Sequence, residues 1–249
     1  MGIKRDHTGE TVPVRAAPGR FQSLFEGFRA ELDEHYDRRE RIVKASRDAT
    51  ALSKKIIFAL HRSSAVNEAP SPAIQKEIDT HQSKLSDALT SIAPDLTPLN
   101  RHRYWLPCLE ELVEALSFSH YLRTQTLLAP SDAQLAIPGG ILMTERDYIY
   151  GIFDLFGEMM RFATAKSRAP GVLVADESEK GRSVMEDIRE LGCAFETLPK
   201  VPEKAFTMKM ETMRVSVKKV ETLGYRMVIQ RGEHADGWVP DADDDEREV

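Results

Sequence analysis

Cysteine is scarce. The 249-residue chain has two, Cys108 and Cys193, and neither stands in a CxxC pair or a Cys/His cluster. A structural zinc site is therefore not expected. Two isolated thiols without a secretory pattern suit a reducing compartment, cytoplasm or nucleus. Long apolar runs are also missing. Nothing approaches the roughly 20 uncharged residues that cross a bilayer, so no membrane association is expected. The opening MGIKRDHTGETVPVR has no apolar signal core, and secretion is not expected. It starts like a myristoylation signal but carries Asp6 where Ser or Thr is wanted. The sequence shows no Gly-rich phosphate loop, nucleophile elbow or Ser-His-Asp pattern. Positive charge is not in excess: 34 Lys+Arg face 40 Asp+Glu, a net charge of −6. Compact nucleic-acid-binding domains are usually basic, so such a role must rest on local clustering.

What is present reads as helix almost throughout. Residues 1–20 are polar, with Pro13, Pro18 and Gly19, and are expected to be disordered. Residues 21–232 form the predicted helical domain, and 233–249 an acidic, disordered tail. Leu24, Phe25, Phe28, Leu32 and Tyr36 keep the 3-and-4 spacing of one helical face. The pattern continues to Leu60, which predicts a first helix from about Phe21 to Arg62, about 60 Å long at 1.5 Å per residue. A rod of that length suggests a bundle or an assembly interface. Further helices are predicted at about 73–92, 99–128, 144–166, 177–197 and 202–230. Pro107 kinks the third or resets its start. Residues 129–140, with Pro130, Pro138, Gly139 and Gly140, read as a loop. The fold class is all-α, an elongated bundle of about six to seven helices.

Two acidic pairs carry the chemical interest. Glu111 and Glu114 are spaced i, i+3, about 60° apart on a helix. Asp154 and Glu158 are spaced i, i+4, about 40° apart. Two helices that each present two carboxylates could surround a hard divalent cation with oxygen ligands, Mg²⁺ or Mn²⁺ rather than zinc. Spacing leaves the commoner alternative open, in which both pairs lie on ordinary solvated faces. Two details speak against it: Phe118 and Tyr121 share the side of Glu111 and Glu114, and Gly151 lies along the Asp154 stripe, where a neighbour could approach closely. A basic segment from Arg38 to Arg62 holds Arg47, Lys54 and Lys55 among eight Lys and Arg, against Glu40 and Asp48. Phosphate binding needs such local charge, although generic surface is the commoner meaning of a basic helix face. The histidines, His61 and His120 among them, are scattered and read as structural. Met208, Met210, Met213 and Met227 read as core or interface packing.

Four ordered blocks resemble the translin family, and within it the X-type branch. They are FRAELDEHYDRRERIVKASRD (28–48), SKKIIFALHR (53–62), ELVEALSFSH (111–120) and DYIYGIFDLFGEMMR (147–161). Similarity runs over roughly 21–230. The resemblance implies an all-α fold and a closed, hollow hetero-oligomer with translin as partner. It also implies a Mg²⁺-dependent endoribonuclease that removes nicked passenger strands in RNA silencing and processes tRNA-derived fragments. Single-stranded RNA is the expected ligand, with single-stranded DNA as a further one. The family's acidic quartet falls on Glu111, Glu114, Asp154 and Glu158, as both metal ligands and catalytic residues; translin subunits lack part of it. Arg47, Lys54 and Lys55 are the candidates for holding the RNA backbone. The chain departs from the family in lacking a basic N-terminal extension and in its acidic tail. The rival expectations are a non-catalytic nucleic-acid-binding scaffold that stabilises translin, and a helical adaptor with no nucleic-acid role.

Overall fold

The computed structural model describes residues 19–167, 182–199 and 201–233. Both predicted disordered tails fall almost wholly outside these residues, as does the start of the predicted fifth helix. Seven α-helices and three short 3₁₀ turns make up the described secondary structure. The long first helix, α1, runs Gln22–Leu60, 39 residues, close to the expected span. The chain divides into two units, 1–43 and 44–249, and the division falls within α1. In the first unit, Phe21, Leu24, Phe25, Phe28, Leu32 and Tyr36 are each at least half exposed. In the second, α1 buries Ala49, Ser53, Ile56, Ile57 and Leu60, again at helical spacing.

The later helices begin where local chemistry tells them to. Helix α2 (Pro72–Ile92) has Ser71 as N-cap and Pro72 at its first turn, and buries Ile78, Leu85, Leu89 and Ile92. Helix α3 (Pro107–Thr124) starts at Pro107, which has no N–H to donate and so fits a first turn. Upstream of it the predicted third helix survives only as a 3₁₀ turn at Arg101–Arg103. Its other end is Gln125, in a left-handed conformation with φ 49°. The predicted loop 129–140 is also corrected. Pro130–Ala136 forms a short helix, α4, and Pro138–Gly140 a 3₁₀ turn, each with Pro at its start. Helix α5 (Glu145–Ala165) opens with a capping box between Thr144 and Asp147. Helix α6 (Val184–Glu196) does the same with Ser183 and Glu186. Helix α7 is Lys204–Glu233.

Helix α5 is the centre of the second unit, packed against α3, α6 and α7. It buries residues around most of its circumference, from Tyr148 and Tyr150 through Phe153, Leu155 and Phe156 to Phe162. A helix apolar on nearly every side belongs inside. Phe153 stacks edge-on with Phe195 of α6 and Phe206 of α7, at centroid distances of 4.9 and 5.4 Å. The start of α5 is held by Arg101, which is 3% exposed. Its guanidinium donates to Asp147 Oδ2 at 2.5 Å, to the Leu142 carbonyl at 2.9 Å and to the Tyr104 carbonyl at 2.8 Å. A buried charge pair is tolerated when its remaining donors and acceptors are satisfied in this way.

The α3–α5 contact is closest at Gly151. A Cβ there would stand 2.7 Å from the Glu110 carbonyl oxygen and 2.7 Å from Val113 Cβ, both on α3. Two turns on, a Cβ at Gly157 would meet nothing within 4 Å. Gly151→Ala should therefore destabilise the protein by about 1–3 kcal/mol through overpacking against backbone. Gly157→Ala should stabilise it by about 0.5–1 kcal/mol through helix propensity. Melting temperatures of the two variants moving in opposite directions would verify the crossing. Equal effects would contradict it.

Candidate functional site

The crossing at Gly151 sets the two acidic pairs against each other. Glu111 and Glu114 come from α3, and Asp154 and Glu158 from α5. The solvated-face alternative fails for two of them: Glu114 is 6% exposed and Glu158 7%. Glu111 and Asp154 are half-buried. Phe118 and Tyr121, the aromatics beside the first pair, are buried as well.

Glu114 is the most strained group of the four. Among the described residues it has no hydrogen-bond or ion-pair partner. Burial pushes its carboxyl up to about 9 from an ordinary value of 4.5, and the neighbouring carboxylates of Asp154, Glu111 and Glu158 push in the same direction. Burial also raises Glu111, with Lys54 opposing and Asp154 and Glu158 reinforcing. All four acids therefore lie within one electrostatic neighbourhood. Such crowding of like charge in a part-buried place is a common mark of a functional site.

The other acids are paired with organic cations. Lys209 of α7 donates through Nζ to both oxygens of Asp154, at 2.7 Å each. Glu158 Oε2 meets the His61 Nε2 atom, just beyond the end of α1, and accepts from Arg161 Nη1 at 3.0 Å. The imidazole lies against Phe118 and Phe162, with centroids 4.9 and 6.5 Å away. Lys54 Nζ stands 3.8 Å from Glu111 Oε2. Among the described residues, no three His, Cys, Asp or Glu side chains are disposed as a ready metal cage. Of the predicted RNA-binding residues, Arg47, Lys54 and Lys55 are all exposed on α1, and Lys54 reaches the acidic group.

Sequence reading misses His61 and Lys209. His61 was one histidine among seven with no motif around it. Lys209 left a faint signal. The buried side chains of α7 include Phe206, Met210, Met213, Ser216 and Val220, and a lysine three after the first and four before the third sits beside that stripe. His120 keeps a local role, its Nε2 within 2.8 Å of Thr126 Oγ1. Met210 and Met213 are core residues, as expected, whereas Met208 is exposed.

Glu114 holds its proton more tightly in the folded chain than in the unfolded one. Its stabilising contribution is thus complete below about pH 4.5 and lost as pH rises through about 9. In chelator-containing buffer, wild-type melting temperature should fall over that window, and Glu114→Gln should flatten the decline and be the more stable form at its alkaline end. Parallel curves for the two proteins would contradict the assigned burial.

Comparison with known proteins agrees with this architecture. A profile of the translin family matches residues 37–231. A translin-associated protein X homolog from Schizosaccharomyces pombe is 30% identical over 212 residues, covering 84% of this chain and 89% of the relative. Translin-associated protein X of Rattus norvegicus is 27% identical over 239 residues, covering 84% and 79%. The solved structure of apo-NeC3PO shares the fold with a TM-score of 0.60 at 16% identity, covering 88% of this chain and 99% of that one. AfC3PO gives a TM-score of 0.58 at 19% identity, covering 84% and 98%. With its family profile, its relatives and its all-helical fold in agreement, the chain belongs to the translin family.

Proposed function

We propose that this chain is the catalytic subunit of a complex with translin, a Mg²⁺-dependent endoribonuclease acting on single-stranded or nicked RNA. One observation carries the reading: Glu114, a buried carboxylate without a partner, faces three more carboxylates from two helices. Such a group keeps its proton unless something supplies positive charge beside it, and a bound cation would do so. The donor set fits Mg²⁺ or Mn²⁺, because the four side chains offer only hard oxygen ligands. Glu111, Glu114, Asp154 and Glu158 would hold the ion.

When bound, the cation would supply charge neutralisation at the phosphoryl oxygens and a more acidic water. The chain's own residues do the rest. A carboxylate of the quartet that is not fully used in coordination accepts a proton from the attacking water. The water oxygen bonds to phosphorus, the bond to O3′ breaks, the departing 3′-oxygen takes a proton from solvent, and the products are a 5′-phosphate and a 3′-hydroxyl. Lys54, next to Glu111, with Arg47 and Lys55 on the same helix, holds the RNA backbone beside the acids. Passenger-strand removal and processing of tRNA-derived fragments are the proposed settings. Single-stranded DNA is a further ligand of the same backbone-binding face.

A second reading has one observation in its favour. Asp154 and Glu158 already have partners, the Lys209 and Arg161 cations and the His61 imidazole. A quartet neutralised from within would suit a scaffold that stabilises translin and binds nucleic acid without cutting it. The two readings separate in one experiment. The complex with translin is given single-stranded RNA and Mg²⁺, and wild type is compared with Glu111→Ala and Asp154→Ala. Cleavage should fall by more than about 100-fold in each variant, with assembly and RNA binding retained. RNA binding by the wild type with no cleavage under any divalent cation would instead support the scaffold.

A further inference from the structure

The quartet is neutralised unevenly. Glu158 has two partners, His61 and Arg161, and Glu114 has none among the described residues. Asp154 has one, and it comes from a third helix. The Lys209 ammonium sits 2.7 Å from both Asp154 oxygens, 3.4 Å from the Tyr150 carbonyl and 5.1 Å from the centre of the Tyr150 ring. It thus takes up the coordinating positions of the only half-buried acid on α5. A cation shared between α3 and α5 needs one of those oxygens, and a second positive charge cannot stay at hydrogen-bond distance from it without strong repulsion.

Lysine suits such an exchange. Its charge is compact, and it rides on a flexible four-carbon stem. The Lys209 side chain is 22% exposed, so it has a path to solvent. Met210 and Met213, both buried, hold α7 in place independently of the ammonium. Withdrawal of Lys209 would therefore leave the packing intact.

We propose that Lys209 is a resident counter-ion of Asp154 which a divalent cation must displace, so that α7 sets how tightly the α3–α5 carboxylates take that cation. This rests on the reading that the quartet holds a divalent cation. It adds that the chain carries its own competitor for the place. The competitor keeps the acids together when the cation is absent and weakens the cation's binding when it arrives.

The test is calorimetric titration of the full chain with Mn²⁺, for wild type, Lys209→Met and Lys209→Arg, with melting temperatures taken with and without the metal. Lys209→Met should bind Mn²⁺ at least about tenfold more tightly than wild type, as expected when one adjacent like charge is removed. Its metal-free melting temperature should fall, and Mn²⁺ should raise it further than in wild type. Lys209→Arg keeps the charge and forks onto the carboxylate, so it should bind no more tightly than wild type. Lys209→Gln, which removes the charge but keeps a polar end, answers the same question if the methionine variant does not fold. Binding to wild type with equal or weaker affinity in the uncharged variants overturns the counter-ion role and leaves the cation reading standing. No Mn²⁺ binding by any folded variant overturns both.

Discussion

The arrangement depends on how closely α5 can lie on α3. At Gly151 the two backbones approach so near that no side chain fits between them. That single missing Cβ fixes the crossing point, and the acids flank it: Glu111 and Glu114 on one helix, Asp154 and Glu158 on the other. A larger residue would push the helices apart and separate carboxylates that now feel each other's charge. Glu114 is buried on α3 in the neighbourhood of the same acids, so burial and crowding occur together.

The structure treats two buried acids in opposite ways. Asp147 is 3% exposed and has partners: its Oδ2 accepts from Arg101 and from the Thr144 amide, and the Thr144 hydroxyl caps the helix in return. Glu114, scarcely more exposed, has no such partner. A chain able to satisfy one buried carboxylate so thoroughly has the means to satisfy another. An unsatisfied polar group in an otherwise consistent core is where local rules yield to function. The contrast between these two residues is the physical basis for treating the quartet as a site rather than as incidental surface charge.

Much of this was legible in the sequence. Proline and glycine at the joints marked out six of the seven described helices, and Pro107 marked the start of α3 once its missing amide was taken seriously. The i, i+3 and i, i+4 spacings placed each acidic pair on one side of a helix, and the aromatics beside Glu114 hinted at burial. Other features were not legible. A polar face read from a helical wheel assumes one side is wet, yet α5 is enclosed by three neighbours, a fact of tertiary packing that no single-helix pattern contains. His61 and Lys209 lie 97 and 55 positions from the acids they meet; nothing local singles out His61, and Lys209 shows only its place beside the buried stripe of α7. Short α4 was hidden because prolines that end one helix also begin another.

The anchoring of α5 has a genetic consequence. Asp147 lies two turns upstream of Asp154 and touches none of the four acids, yet with Arg101 it fixes where the helix begins. Loss-of-function alleles would therefore accumulate in two classes. On the proposed nuclease reading, lesions in the quartet would be null at every growth temperature in a properly folded product. Lesions at 101 or 147 would be conditional, silent in the cold and inactive in the heat, because they loosen the mounting and leave the chemistry untouched.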